Sequence, residues 1–153
     1  MHTCNIFVSS PGDVALERAL VARVTERLRK VFGHRSELRL MLWEEQPLEA
    51  KASFQPQLPN PANVDLFIMI LWQRMGTLLP DSAIPTPFRG PLTGTEYEFL
   101  AALSAQQKEG KPAVMVYRRT DNQGKRADAV TAFFAEHFTD DNNRLSKAYH
   151  QYQ

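Results

Sequence analysis

Residues 90–99 read Gly-Pro-Leu-Thr-Gly-Thr-Glu-Tyr-Glu-Phe and hold the side chains of this chain best suited to chemistry. Thr93 or Thr95 can cap a helix whose first turn carries Glu96 and Glu98. Carboxylates in a first turn are favoured by the helix dipole and by free backbone N–H groups, so capping alone accounts for them. The functional reading rests on location. This helix follows the third predicted strand, and in a parallel α/β sheet the carboxyl ends of the strands line the ligand crevice. Successive helical positions turn by ~100°, so Glu96 and Glu98 face nearly opposite ways and at most one enters a cleft. Glu98 precedes apolar Phe99 and lies at the edge of the buried face; Glu96 is the more solvent-facing.

Other chemistries lack their residues. There is no GxxxxGK[ST], no GxGxxG after the first strand and no GxSxG, which argues against P-loop, Rossmann and serine-hydrolase sites. The first strand ends in serines rather than the acidic cluster of a phosphoacceptor receiver. His2, His34, His137 and His150 are scattered, and Cys4 is the one cysteine, so neither a metal site nor an internal disulfide is expected. Cys4 heads an apolar run and reads as a buried, inert thiol. A net charge of +1 gives no field for nucleic acid or an anionic membrane. The 153 residues fit one domain, 43% of them apolar and 23% charged, as in ordinary globular proteins. No signal peptide opens the chain, and the longest apolar run, 66–72, is far short of a membrane span. A cytoplasmic location is expected, with the chain one excised domain of a longer protein.

The elements that must position these residues alternate. Residues 4–9 read as a strand. Ser10, Pro11 and Asp13 follow at capping-box spacing, with Ser10 as N-cap. Leu16, Leu20, Val24, Leu28 and Val31 then make one apolar stripe on an amphipathic helix, with Arg18, Arg23, Arg27 and Arg29 on other faces and Gly33 at the C-cap. A second strand is expected at 38–43. Four prolines between residues 44 and 63 leave room only for a short helix at 51–57. Residues 64–72 (VDLFIMILW) are almost continuously apolar, as in a strand buried on both faces. A long proline-bearing loop, 74–94, leads to a helix at 95–107, a strand at 113–117 and a helix at 127–138. Residues 143–152 fit a helix or a short edge strand. The expected fold is flavodoxin-like α/β/α with a parallel sheet in order 2-1-3-4, and a possible fifth strand.

Ile6-Phe7-Val8-Ser9-Ser10, then Asp13, then Glu17-Arg18, resembles the opening of Toll/interleukin-1-receptor (TIR)-like domains that precede NACHT or other STAND-type NTPase modules. The likeness continues through Val64-Asp65-Leu66-Phe67-Ile68, Trp72, Gly76 and Gly94-Thr95-Glu96-Tyr97-Glu98-Phe99, about the first 120 residues in order. It implies a signalling or effector domain that self-associates, carries a STAND- or NACHT-type module C-terminally, and serves immune or antiphage defence. Many TIR domains cleave NAD with a glutamate on the helix after the third strand, and Glu98 matches that residue. The family's serine and tryptophan find no match; Thr95 stands three residues before Glu98, where an aromatic is usual.

On that resemblance the chain holds no cofactor, and NAD enters as substrate. Breaking the nicotinamide–ribose bond builds oxocarbenium character that a carboxylate stabilises. Trp43, Trp72 or Tyr97 would stack on a ring of the dinucleotide, and Ser9, Ser10, Thr95 and Arg74 would border phosphate or ribose. Each has a plainer reading: core aromatics for the tryptophans, a helix cap for Ser10, a solvated charge for Arg74. Two functions stay open, an NAD glycohydrolase activated by oligomerisation and a non-catalytic interaction module. Nucleoside deoxyribosyltransferase-like chemistry is a third, sharing the fold class and a catalytic glutamate.

Overall fold

A computed structural model describes residues 1–42, 60–124 and 127–153. In chain order these form β1 (His2–Ser9), α1 (Ala15–Phe32), β2 (Ser36–Leu42), β3 (Leu66–Leu71), α2 (Gly94–Glu109), β4 (Ala113–Arg119), α3 (Asp128–Phe138) and β5 (His150–Tyr152). The strands make one sheet in order β2-β1-β3-β4-β5, with every neighbouring pair parallel. Residues 143–152 thus end in a short edge strand. The fold is the expected flavodoxin-like three-layer arrangement, with β3 central.

Alternation along the strands divides the core in two. Phe7, Phe67, Met69, Leu71 and Val116 face α2 and α3, where Phe99, Val130, Phe133, Phe134 and Phe138 meet them. Ile6, Val8 and Ile70 face the other way, toward the α1 layer with Val14, Val21 and Ala22. This is the period-two rule with both faces covered, and it explains why β3 has no polar face.

The first helix departs from its pattern twice. Its entry is a 3-10 turn, Gly12–Val14, without a side-chain cap, and α1 begins only at Ala15. Ser10 is therefore not the N-cap; its hydroxyl and the Asp13 carboxylate are engaged elsewhere. The apolar stripe also does not face the sheet: Leu16 is 81% exposed, Leu20 56% and Val24 47%. The side chains turned inward are Arg18, Val21, Ala22 and Thr25, of which the polar pair Arg18 and Thr25 are the most buried. Backbone carbonyls satisfy them: Thr25 Oγ1 donates to the Val21 carbonyl at 2.8 Å, and Arg18 reaches that of Pro11 at 2.7 Å. Gly33 closes the helix as expected, its N–H donating to the Arg29 carbonyl.

Thr93 caps α2, its hydroxyl accepting from the Glu96 N–H at 3.1 Å, and left-handed Gly110 ends it. The 74–94 loop is tied at its ends: the Leu79 N–H donates to the Leu92 carbonyl and the Gly94 N–H to that of Thr77. Leu79 and Leu92 are buried beneath it. Trp43 and the helix expected at 51–57 lie outside the described residues.

Core and stripe are expected to respond differently to truncation. Phe67→Ala, at a fully buried position, should cost about 3–5 kcal/mol in urea unfolding. Leu16→Ala should stay within about 0.5 kcal/mol of the parent chain.

Candidate functional site at the carboxyl edge of the sheet

Adjacent residues at the end of a strand point to opposite faces. Ser9 shares the side of Phe7, toward α2, and Ser10 the side of Val8, toward α1. Each meets a charged residue of its own helix. Ser9 Oγ donates to Glu98 Oε2 at 2.5 Å, with Ser9 wholly buried and Glu98 only 4% exposed. That length suits a hydrogen bond to a carboxylate. Glu98 reaches this place because Thr93 fixes the start of α2 and Glu98 falls on the same helical side as buried Thr95, Ala101 and Ala102. Thr95 lies against Gly76, whose φ of +89° excludes most side chains and where a Cβ would stand 3.0 Å from Thr95 Oγ1.

On the opposite face, Arg18 Nη1 donates to Ser10 Oγ at 3.1 Å and to the carbonyls of Pro11 at 2.7 Å and Ser10 at 3.4 Å. Asp13 Oδ2 accepts from the Gln73 N–H at 2.9 Å, fastening the β1–α1 turn to the end of β3. The periodicity of α1 had put Arg18 on an outer face; its burial is the clearest site feature that sequence reasoning missed. The only signal for it was the Glu17-Arg18 pair that follows Ser9, Ser10 and Asp13.

A second cluster forms beside this turn. The Arg119 guanidinium stands 4.0 Å over the Trp72 ring and pairs with Asp121 at 2.5 Å and Glu17 at 3.1 Å. Trp72 Nε1 donates to the Asp121 carbonyl at 2.7 Å, and Tyr152 Oη to Glu17 at 3.2 Å. Hydrogen bonding to Asp121 raises the Arg119 pKa, and Arg119 holds the Asp121 carboxyl below the usual range. Burial, then the Glu17 charge, pushes the Tyr152 hydroxyl well above its usual 10. One face of Trp72 is thus taken by Arg119, and the ring lies across the sheet from Glu98.

The remaining candidates are dispersed. Tyr97 turns away from Glu98 and meets the Phe88 ring edge-on at 5.8 Å; burial, then the Glu98 charge, raises its pKa. Arg74 is exposed. Glu96 accepts from or pairs with His137 at 3.2 Å, joining the start of α2 to the end of α3. With exposed Glu136 these form a trio whose ligand atoms lie within 4.8 Å of one another. Cys4 is half-buried rather than buried, and burial, then Asp65, raises its thiol pKa, which disfavours the reactive thiolate. The structure therefore gathers Ser9, Thr95 and Glu98 on the α2 face, and Ser10 and Trp72 on the α1 face. No family model, curated protein or solved structure matches the chain significantly.

Two outcomes follow. Arg18→Met should cost about 1–3 kcal/mol in chemical denaturation, because it removes the guanidinium donor from the buried Ser10 hydroxyl and carbonyl and leaves the Pro11 carbonyl only the Val14 N–H at 3.4 Å. Tyr152 and Tyr97 both ionise more readily unfolded than folded, so their stabilisation is complete below pH 10 and fades above it, as the unfolded chain loses these protons first. Denaturation curves across that alkaline range should show a shallower decline for Tyr152→Phe than for the parent.

Proposed function

We propose that this chain is a TIR-like effector domain that hydrolyses NAD at the nicotinamide–ribose bond, with Glu98 as its catalytic carboxylate. The observation that carries the reading is the buried Ser9–Glu98 pair. Burying a carboxylate is costly unless it is hydrogen-bonded, and this one sits where parallel sheets bind ligands. A first-turn carboxylate needs no such complete burial: Glu96, in the same turn, keeps partial contact with solvent beside His137.

In the proposed reaction the bond from ribose C1′ to the nicotinamide nitrogen breaks, and its electron pair leaves with nicotinamide. The Glu98 carboxylate stabilises the positive charge developing on the ribose. Water then adds at C1′ and releases its proton to solvent, giving ADP-ribose. Glu98 is closed off from solvent in the single chain, so catalysis requires an opening of its surroundings. Self-association is the proposed trigger, with a STAND- or NACHT-type module the proposed means of bringing copies together. The second reading, an assembly module without catalysis, is favoured by the exposed apolar side of α1.

Glu98→Gln keeps the shape of the side chain and removes its charge. Nicotinamide release by artificially clustered protein should fall about 100- to 1000-fold. Glu96→Gln, which removes a charge from the same turn, should retain near-parental rates. Equal losses in both variants would indicate damage to α2, and an unchanged rate in Glu98→Gln would reject the assignment. Thermal unfolding of each variant separates lost chemistry from lost fold.

A further inference from the structure

The outward side of α1 carries two kinds of residue in adjoining bands. Leu20, Val24, Leu28, Val31 and Phe32 fall within ~120° of the helix circumference, and Arg23, Arg27 and Lys30 occupy the next ~60°. Leu16, in the first turn, lies among the cations. All of these side chains are exposed, the apolar ones from 40% at Leu28 to 81% at Leu16. The apolar ones together leave roughly 600 Å² in water, at the upper limit for a monomer. The acids of the helix are committed elsewhere: Glu26 pairs with Arg29 at 3.0 Å, and Glu17 turns to Arg119 and Tyr152. Among the described residues no carboxylate pairs with Arg23, Arg27 or Lys30. Helices α2 and α3 pack on the other face of the sheet.

The geometry points to an anionic lipid surface as the occupant, with α1 lying flat in the headgroup region. A helix with an apolar side and a border of Lys and Arg settles in that plane. The 18 residues of α1 span ~27 Å, and both bands run along most of that length. The arginine stems can lie on the apolar band while their guanidinium groups reach lipid phosphates. The apolar row winds around the helix, with Arg27 between Leu16 and Leu20. A rigid protein partner has to be shaped to that winding, whereas fluid lipid conforms to it. No helix among the described residues is long and apolar enough to cross a membrane, so the attachment is peripheral.

The net charge of +1 conceals this arrangement. Charges act over ~10 Å in ordinary salt, so a lipid surface at α1 meets its three unpaired cations rather than the balance of the whole chain. The inference does not depend on NAD cleavage: Glu98 is held by Ser9 on the α2 side of the sheet.

Co-sedimentation with phosphatidylcholine vesicles, with and without phosphatidylserine, tests it. The chain should pellet with the mixed vesicles, stay in solution with pure phosphatidylcholine, and be released as sodium chloride is raised. R23Q/R27Q/K30Q should lower the partition coefficient about 100-fold. L20S/V24S should lower it at least about tenfold, with circular dichroism and unfolding midpoint parental in both variants. In a Cys4→Ser background, a spin label at Val24→Cys should become shielded from aqueous nickel on the mixed vesicles, while one at Glu26→Cys stays accessible. A chain that remains in solution with the mixed vesicles at low salt would overturn the inference. So would binding that R23Q/R27Q/K30Q retains in full. Binding that L20S/V24S leaves unchanged, with the Val24 label still open to nickel, would also overturn it, by reducing the contact to a solvated basic patch.

Discussion

The structure depends on β1 being covered on both faces. A strand enclosed in this way must hand its last side chains alternately to two different helices. Ser9 goes to α2 and finds Glu98; Ser10 goes to α1 and finds Arg18. Both charged groups are buried and both are satisfied by hydrogen bonds. The cost of leaving either without a partner exceeds what any single surface contact returns, so the ends of β1, α1 and α2 are mutually constrained. The Ser-Ser pair is accordingly a junction between two layers.

The run from Ile6 to Arg18 gains a physical meaning from this junction. Asp13 ties the first turn to the end of β3, Glu17 reaches Arg119 and Tyr152, and Arg18 holds the carbonyls of Ser10 and Pro11. These residues build the carboxyl edge of the sheet. Of the motif's polar side chains, Ser9 is the one that meets the proposed catalytic carboxylate. A scaffold of this kind positions a glutamate without taking part in its chemistry.

The strands were legible because burial on both faces leaves a plain mark. Residues 64–72 carry an unbroken apolar run, and its core, Leu66–Leu71, is the central strand. Glu98 was legible for a related reason: neighbouring Phe99 marks the buried side of its helix, and the structure buries both. The first helix was not legible in the same way. Its apolar period is regular, and periodicity alone cannot say which partner the stripe meets. The sheet takes Val21 and Ala22 together with Arg18 and Thr25, whose polar groups are met by backbone carbonyls at the β1–α1 turn and within the helix. The Trp72–Arg119–Tyr152 cluster joins the last residues of β4 and β5 with the residue that follows β3, and only the register of the sheet brings them together.

The central claim is that the Ser9–Glu98 pair marks an NAD-cleaving site. Proton NMR of NAD incubated with clustered wild-type protein tests it most directly, since substrate and both products are resolved in one spectrum. The account predicts that NAD signals decline while those of free nicotinamide and ADP-ribose grow in equal amounts. An NAD spectrum that stays unchanged while the protein remains folded and clustered would contradict it.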